Sequence, residues 1–331
     1  MGTNKDEMRF SSSTQLILAG SVAKDTIRYI PHSIFDLFKD LHPRFSLSLL
    51  IDEKEEFRGG TGANIAYTLS LLGEQPILLA AVSHLDREYV AYLEKIGITT
   101  EYLYESSQGI PAFDVITFLD TTQFATFYSG AMKDSDKLTL LPWSCASDKQ
   151  DVYAIISAHD PLAMHTQVNQ CRSLGIPYCF DIGQQTNNST LDLIIDGVAG
   201  AHILIANEHE ITIIAEKLGM TVDVLEQSVP ICITTLGKDG ARIAGYTVDG
   251  YLDIPITQVS NVLDPTGAGD AWRGGFFAGL KRGFSLFEAG LWGSVAAAYA
   301  VESHGPQEHT YSVGEFFNRL DDLKRRVSFL E

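Results

Sequence analysis

The 331-residue chain is short of positive charge. It has 24 lysines and arginines against 42 aspartates and glutamates, a formal net charge of −18. A nucleic-acid binder needs a basic surface to neutralise phosphates, so that class is not expected. A small anionic ligand stays open, because a site can be locally positive on an acidic protein. Cysteine is sparse too. Cys145, Cys171, Cys179 and Cys232 form no C-x-x-C pair, which excludes the usual zinc and redox-dithiol signatures. They read as small apolar residues of a reduced, cytoplasmic chain. No apolar run approaches the ~20 residues that span a bilayer, so no membrane partner is expected. The polar, Ser-rich start lacks the apolar core of a signal peptide. Residues 1–14 read as a flexible tail and 15–331 as one large folded unit.

What is present alternates. Strand-like apolar runs occur at Gln15–Ala19, Ile77–Val82, Val152–Ser157, Ile176–Phe180, Ile203–Ala206 and Ile231–Thr235. Helix-like segments sit between several of them, such as Ala63–Leu72 before Gly73 and Pro161–Leu174 before Gly175. This order predicts a mostly parallel sheet with helices on both faces, a three-layer α/β/α core. Two β-rich stretches interrupt it. Arg44–Phe57 alternates apolar residues with serine, and Ala112–Ser129 reads as an antiparallel hairpin about a polar turn at 120–123. Together they suggest a small separate sheet, drawn from about 26–60 and 98–132, that covers a site as a lid. After Asp264 the signal is helical, at Ala271–Leu280, Leu286–Val301 and Gly314–Leu330.

The densest chemical signal is Asp264-Pro265-Thr266-Gly267-Ala268-Gly269-Asp270, followed at once by a helix. Glycines let the backbone approach a ligand, and a helix N-terminus favours an anion. An aspartate there would repel a bound phosphate. The conflict resolves if Asp270 is a base, taking a proton from a hydroxyl that attacks a phosphoryl group held over Gly267, Ala268 and Gly269. The plain alternative is an aspartate helix cap after a glycine turn. Other signatures fail: there is no G-x-x-x-x-G-K-[ST], no G-x-G-x-x-G, no H-E-x-x-H and no G-x-S-x-G.

A second cluster, Arg58-Gly59-Gly60-Thr61-Gly62-Ala63-Asn64, also precedes a helix. Polar residues follow the strand-like runs: Ser21 and Asp25, then Asp181 with Gln184 and Gln185, Asn207 with Glu210, and Thr235 with Gly237. In a parallel sheet these positions share one edge, where ligands bind.

At these residues the chain resembles the ribokinase-like (PfkB) carbohydrate kinases. Asp264–Asp270 matches their C-terminal signature, and Arg58-Gly59-Gly60 with Asn64 and Leu72-Gly73 matches their N-terminal one. Asn207-Glu208-His209-Glu210 fits their N-x-x-E element, and Thr235-Leu236-Gly237 with Gly240 their nucleotide segment. Within the family it is most similar to bacterial adenosine kinases, through Phe127–Met132, Gln184-Gln185 after Asp181, and Val301–Glu308. It departs from them at Ile182-Gly183 and at Trp272.

The resemblance implies a ribokinase-like fold and ATP-dependent phosphorylation of the 5′-hydroxyl of adenosine, in purine salvage. Asp270 would be the general base, and Gly267, Ala268 and Gly269 the anion hole. Asp25 would bind the ribose hydroxyls, with Ser21, Ser48, Gly60 and Asn64 around the nucleoside. Phe113 and Phe127 would enclose the purine, and Gln184 and Gln185 would read its polar edge. Asn207, Thr235, Gly237, Lys238 and Gly240 would lie along ATP, and Glu210 would hold Mg²⁺ through water. Some proteins of the family pair through their lids, and an apolar lid face (Leu47, Leu49, Phe124) is consistent with a homodimer. The alternatives are a kinase of another nucleoside or of a sugar, a non-catalytic nucleotide-binding protein on the same fold, and a dinucleotide-dependent oxidoreductase.

Overall fold

The computed structural model describes residues 10–38, 48–120, 123–144 and 151–328. Most of the tail and several residues singled out above (Leu47, Cys145, Leu330, and 121–122 in the hairpin turn) lie outside them.

The first part of the chain runs β1 (Gln15–Ala19), β2 (Ala23–Ile30), α1 (Ile34–Phe38), β3 (Glu53–Gly59), α2 (Thr61–Leu71), β4 (Ile77–Leu79), β5 (Ala81–Ser83), α3 (Arg87–Lys95) and β6 (Tyr104–Ser106). It continues through β7 (Ala112–Phe118), β8 (Gln123–Tyr128), β9 (Val152–Ile156), α4 (Pro161–Leu174), β10 (Tyr178–Phe180), α5 (Leu191–Gly200), β11 (Ile203–Asn207) and α6 (Glu208–Leu218). The last part holds α7 (Val222–Glu226), β12 (Ile231–Thr235), β13 (Ala241–Ala244), β14 (Leu252–Ile254), α8 (Ala268–Lys281), α9 (Leu286–Val301) and α10 (Val313–Ser328).

The central sheet has the order β14-β13-β12-β11-β10-β9-β1-β4. The strands from β4 to β12 pair in parallel, while β13 and β14 turn back antiparallel. Strand periodicity separates two cores. Leu16, Leu18, Tyr153, Ile155, Ile203 and Ile205 face one core, which also holds Ile65, Phe276, Trp292 and Phe316 from α2, α8, α9 and α10. Their alternating neighbours Ile17, Ala154, Ile156, Leu204 and Ala206 face the other, against Met164, Leu193, Ile214 and Leu225 from α4 to α7. Burial on both faces explains why these strands read as continuous apolar runs.

The small sheet is separate, with the order β3-β2-β7-β8. The hairpin β7–β8 pairs antiparallel as its alternation suggested. Two expectations need correcting. The Ile77–Val82 run is not one strand: β4 stays in the central sheet, and after Ala80 the chain leaves to pair β5 with β6. Within Arg44–Phe57 the described strand is β3, which begins only at Glu53; Ser48–Ile51 carries no strand, and 44–47 lie outside the described residues. Alternating serines mark an edge pattern but supply no partner.

One close approach sets the geometry of the ligand edge. The loop after β1 crosses the start of α2 so tightly that a Cβ on Gly20 would lie 2.6 Å from the Gly62 Cα. Gly20→Ala is expected to destabilise the protein by ~1–3 kcal/mol, the usual scale of overpacking, in urea unfolding followed by circular dichroism. An unchanged midpoint would mean the crossing is loose.

Candidate active site

A cavity of about 920 Å³ opens between the central sheet and the small sheet, at the C-terminal ends of β1, β10, β11 and β12. This is the edge where the strand-end residues were expected to converge.

The Asp264–Asp270 loop builds one wall. Gly267 caps α8 with φ 77, and a Cβ there would lie 2.4 Å from the Pro306 Cβ, so only glycine fits. Asp264 ties the loop down. Its Oδ1 accepts from the Thr266 N–H (2.9 Å) and its Oδ2 from the Gly305 N–H (3.0 Å). Gly267, Ala268 and Gly269 line the cavity at the positive end of α8. Asp270 sits in the first turn of that helix, and its Oδ2 accepts from Asn64 Nδ2 at 2.8 Å. Burial drives its carboxyl up to about 6. Arg273 and the Asn64 hydrogen bond pull it down, while Asp181 and Glu210 push it up.

The small sheet builds the opposite wall. Phe57, Asp25, Phe113 and Phe127 are register partners across β3, β2, β7 and β8, so their side chains share one face. The last three line the cavity, whereas Phe57 packs against Gly305. Asp25 is only 7% exposed, and its carboxyl lies against the Gly59 Cα. Burial, then the negative charges of Asp270 and Asp264, drive it up to about 7.

The remaining candidates divide. Gly60, Asn64, Gln184, Gln185, Thr235, Gly237, Lys238 and Gly240 all line the cavity. Ser21 lines it too, but its hydroxyl also accepts from the Thr61 N–H at the start of α2 (3.0 Å). Asn207 and Glu210 line it while forming the capping box of α6: Glu210 Oε2 accepts from the Asn207 N–H, and Asn207 Oδ1 from the Glu210 N–H, each at 2.8 Å. Ser48 is a correction. It is exposed and outside the cavity wall, in the stretch before β3 begins.

Sequence reasoning missed Arg273. It is 7% exposed, and its Nη2 donates to Asp181 Oδ1 at 2.6 Å. Asp181 Oδ2 also accepts from the Ser157 hydroxyl (2.9 Å). Burial opposes the charge of Arg273, but Asp181 and Asp270 outweigh it and the guanidinium stays charged. Its position three residues after Asp270 put both on one helix face, the signal that was available.

Residues 37–311 match the model of the pfkB family carbohydrate kinases. The chain belongs to this family. A nucleoside kinase of Methanothermobacter thermautotrophicus is 30% identical over 300 residues, covering 88% of this chain and 94% of that one. Among solved structures, the Burkholderia thailandensis nucleoside kinase in complex with inosine aligns with a TM-score of 0.82 at 27% identity, covering 93% of this chain and 97% of that one. The Methanocaldococcus jannaschii nucleoside kinase aligns with a TM-score of 0.78 at 25% identity, covering 93% and 99%. As a pfkB kinase the protein is a phosphotransferase with a hydroxyl group as acceptor, and its fold is ribokinase-like.

The electrostatics yield a stability prediction. The folded carboxyl of Asp25 lies above its unfolded value, so the stability tied to it is full at low pH and is lost as pH rises through about 7. Asp25→Asn is therefore expected to raise the melting temperature, by an amount that grows up to about pH 7 and then levels off. Scanning calorimetry of both proteins at several pH values checks this; a difference independent of pH would contradict the assignment.

Proposed function

We propose that the protein is an ATP-dependent nucleoside kinase, transferring the γ-phosphoryl group to the 5′-hydroxyl of a purine nucleoside, with adenosine as the leading acceptor. The observation that carries this reading is the cross-strand row of Asp25, Phe113 and Phe127 facing Asp270 across one cavity. A carboxylate that accepts from two ribose hydroxyls beside two aromatic faces suits a nucleoside better than a small sugar, which has no planar base to stack.

In this reading the acceptor hydroxyl lies at Asp270, whose Oδ2 is held by Asn64. Oδ1 takes the proton as the 5′-oxygen bonds to the γ-phosphorus and the bond to the departing ADP oxygen breaks. The N-terminus of α8, at Gly267, Ala268 and Gly269, receives the phosphoryl oxygens. ATP lies along Asn207, Thr235, Gly237, Lys238 and Gly240, with its adenine against the apolar side of the cavity at Val262, Ala298 and Val301. The small sheet acts as the lid that keeps water from the phosphoryl group.

Among the described residues, no group of three or more His, Cys, Asp or Glu side chains forms a metal cage. That fits Mg²⁺, which keeps several waters and takes other ligands from phosphates. Glu210, half-buried in the cavity wall, would hold it through water. Burial raises the Glu210 carboxyl, an effect a bound cation would reverse.

The lid also supports a homodimer. β8 is the edge strand, and Phe124 and Tyr128 on it are 50% and 51% exposed. A dimeric mass by light scattering at micromolar concentration is expected, falling to the monomer in Phe124→Lys/Tyr128→Lys. A monomer in the parent protein removes this part of the reading.

The function is tested with purified protein, ATP and Mg²⁺ on adenosine, inosine, guanosine, ribose and fructose. Adenosine turnover is expected, lowered ~10²–10⁴-fold in Asp270→Asn, the scale for losing a positioned base. Sugar turnover without nucleoside turnover would overturn the acceptor assignment, and wild-type rates in Asp270→Asn would remove its role.

A further inference from the structure

Running from behind the cavity wall to Asp270 in it, four side chains form a chain of hydrogen bonds whose direction is fixed. It begins at the Gly59 carbonyl, which can only accept. Tyr89 donates its single hydroxyl hydrogen there, at 2.9 Å. Tyr89 therefore meets Gln307 as an acceptor, and Gln307 Nε2 donates to it at 2.6 Å. The second hydrogen of the same Nε2 goes to Asn64 Oδ1, at 2.8 Å. With its oxygen so engaged, Asn64 offers only its amide NH₂ to Asp270, and Nδ2 donates to Oδ2 at 2.8 Å. A half-turn of the Asn64 amide would instead set its oxygen against a carboxylate, acceptor facing acceptor.

The relay is buried and rigid. Gln307 is 2% exposed, Tyr89 2% and Asn64 4%. Its starting point is well fixed, since Gly59 ends β3 and packs directly on the Asp25 carboxyl. The cost of this arrangement is visible: among the described residues Gln307 Oε1 is buried without a hydrogen-bond partner. Turning the Gln307 amide would set its oxygen against Asn64 Oδ1 and against a Tyr89 hydroxyl whose hydrogen is already given to Gly59, so the observed orientation is the one that makes both bonds. Gln307 lies outside the cavity wall, so it acts through another residue rather than on a ligand.

We propose that Gln307 is a positioning residue for phosphoryl transfer: it fixes the amide polarity of Asn64, which then occupies Oδ2 of Asp270 and leaves Oδ1 for the acceptor proton. This rests on the assignment of Asp270 as the base. Unlike a packing role, it predicts that the effect of Gln307 disappears when Asn64 is already gone.

The test is a double-mutant cycle on kcat and KM with Gln307→Met, Asn64→Ala and the combined variant. Gln307→Met keeps the volume and removes both donors. It is expected to lower kcat ~10-fold, the scale of one misdirected hydrogen bond, with the KM for ATP nearly unchanged. In the Asn64→Ala background the same change is expected to cost less than ~2-fold. Equal losses in both backgrounds, or a change in KM alone, would overturn the relay. If Gln307→Met does not fold, Tyr89→Phe removes a single hydroxyl one step further out and is read in the same cycle: a kcat loss that vanishes beside Asn64→Ala supports the relay, and one that persists overturns it. Asp270→Asn separates the two levels. If that variant turns over like the parent, the reading of the site fails. If it is inactive while both Gln307→Met and Tyr89→Phe behave like the parent, only the relay fails.

Discussion

The site is governed by the burial of negative charge. Asp25 and Asp270 share one cavity, and the charge of Asp270 helps to push the Asp25 carboxyl up to about 7. Asp181 and Glu210 press on Asp270 from the far side. Arg273 is the buried cation against them, and Asp181 already holds it. What offsets the burial of Asp270 is the Arg273 charge and the Asn64 amide, at the N-terminus of α8. A ligand with hydroxyl donors at one end and phosphate at the other complements this arrangement. In the proposed reading the hydroxyls would solvate Asp25, and the phosphate would meet N–H groups rather than carboxylates.

The fold supplies that arrangement through two simple geometries. Parallel strands bring the ends of β10, β11 and β12 to one edge, so loops remote in sequence contribute neighbouring side chains. The small sheet contributes by register: Asp25, Phe113 and Phe127 come from three strands yet stand in one row. Neither geometry needs a special residue beyond the glycines at the crossings. The specific chemistry then rests on what stands at each strand end.

Legibility followed the same division. Runs buried on both faces, such as Val152–Ile156 and Ile231–Thr235, were plain in the sequence, because they are almost wholly apolar or β-branched. The Asp264–Asp270 loop was legible because its glycines and aspartates have local causes. β2 was harder, since AKDTIRYI mixes charge with apolar residues and its burial does not alternate cleanly. Ser48 was carried to the site by the family resemblance alone, and no motif in the sequence fixed its position. The Arg273–Asp181 pair and the Gln307 relay were invisible as contacts, because their partners lie 92 and 243 residues apart. Asn207 and Glu210 show a third case, in which a single pair caps a helix and also lines the cavity.

The cavity wall is a meeting place of chain segments that have little else in common. Ser21 and Asp25 come from the loop after β1 and from β2, Asp181 and Glu210 from the segments that follow β10 and β11, and Asp270 and Val301 from α8 and α9. A molecule bound there acts as a tie between the two ends of the fold. It stabilises their docking by mass action as well as filling space. Binding competence is thus a property of the whole chain, present only when its first and last thirds are docked on one another.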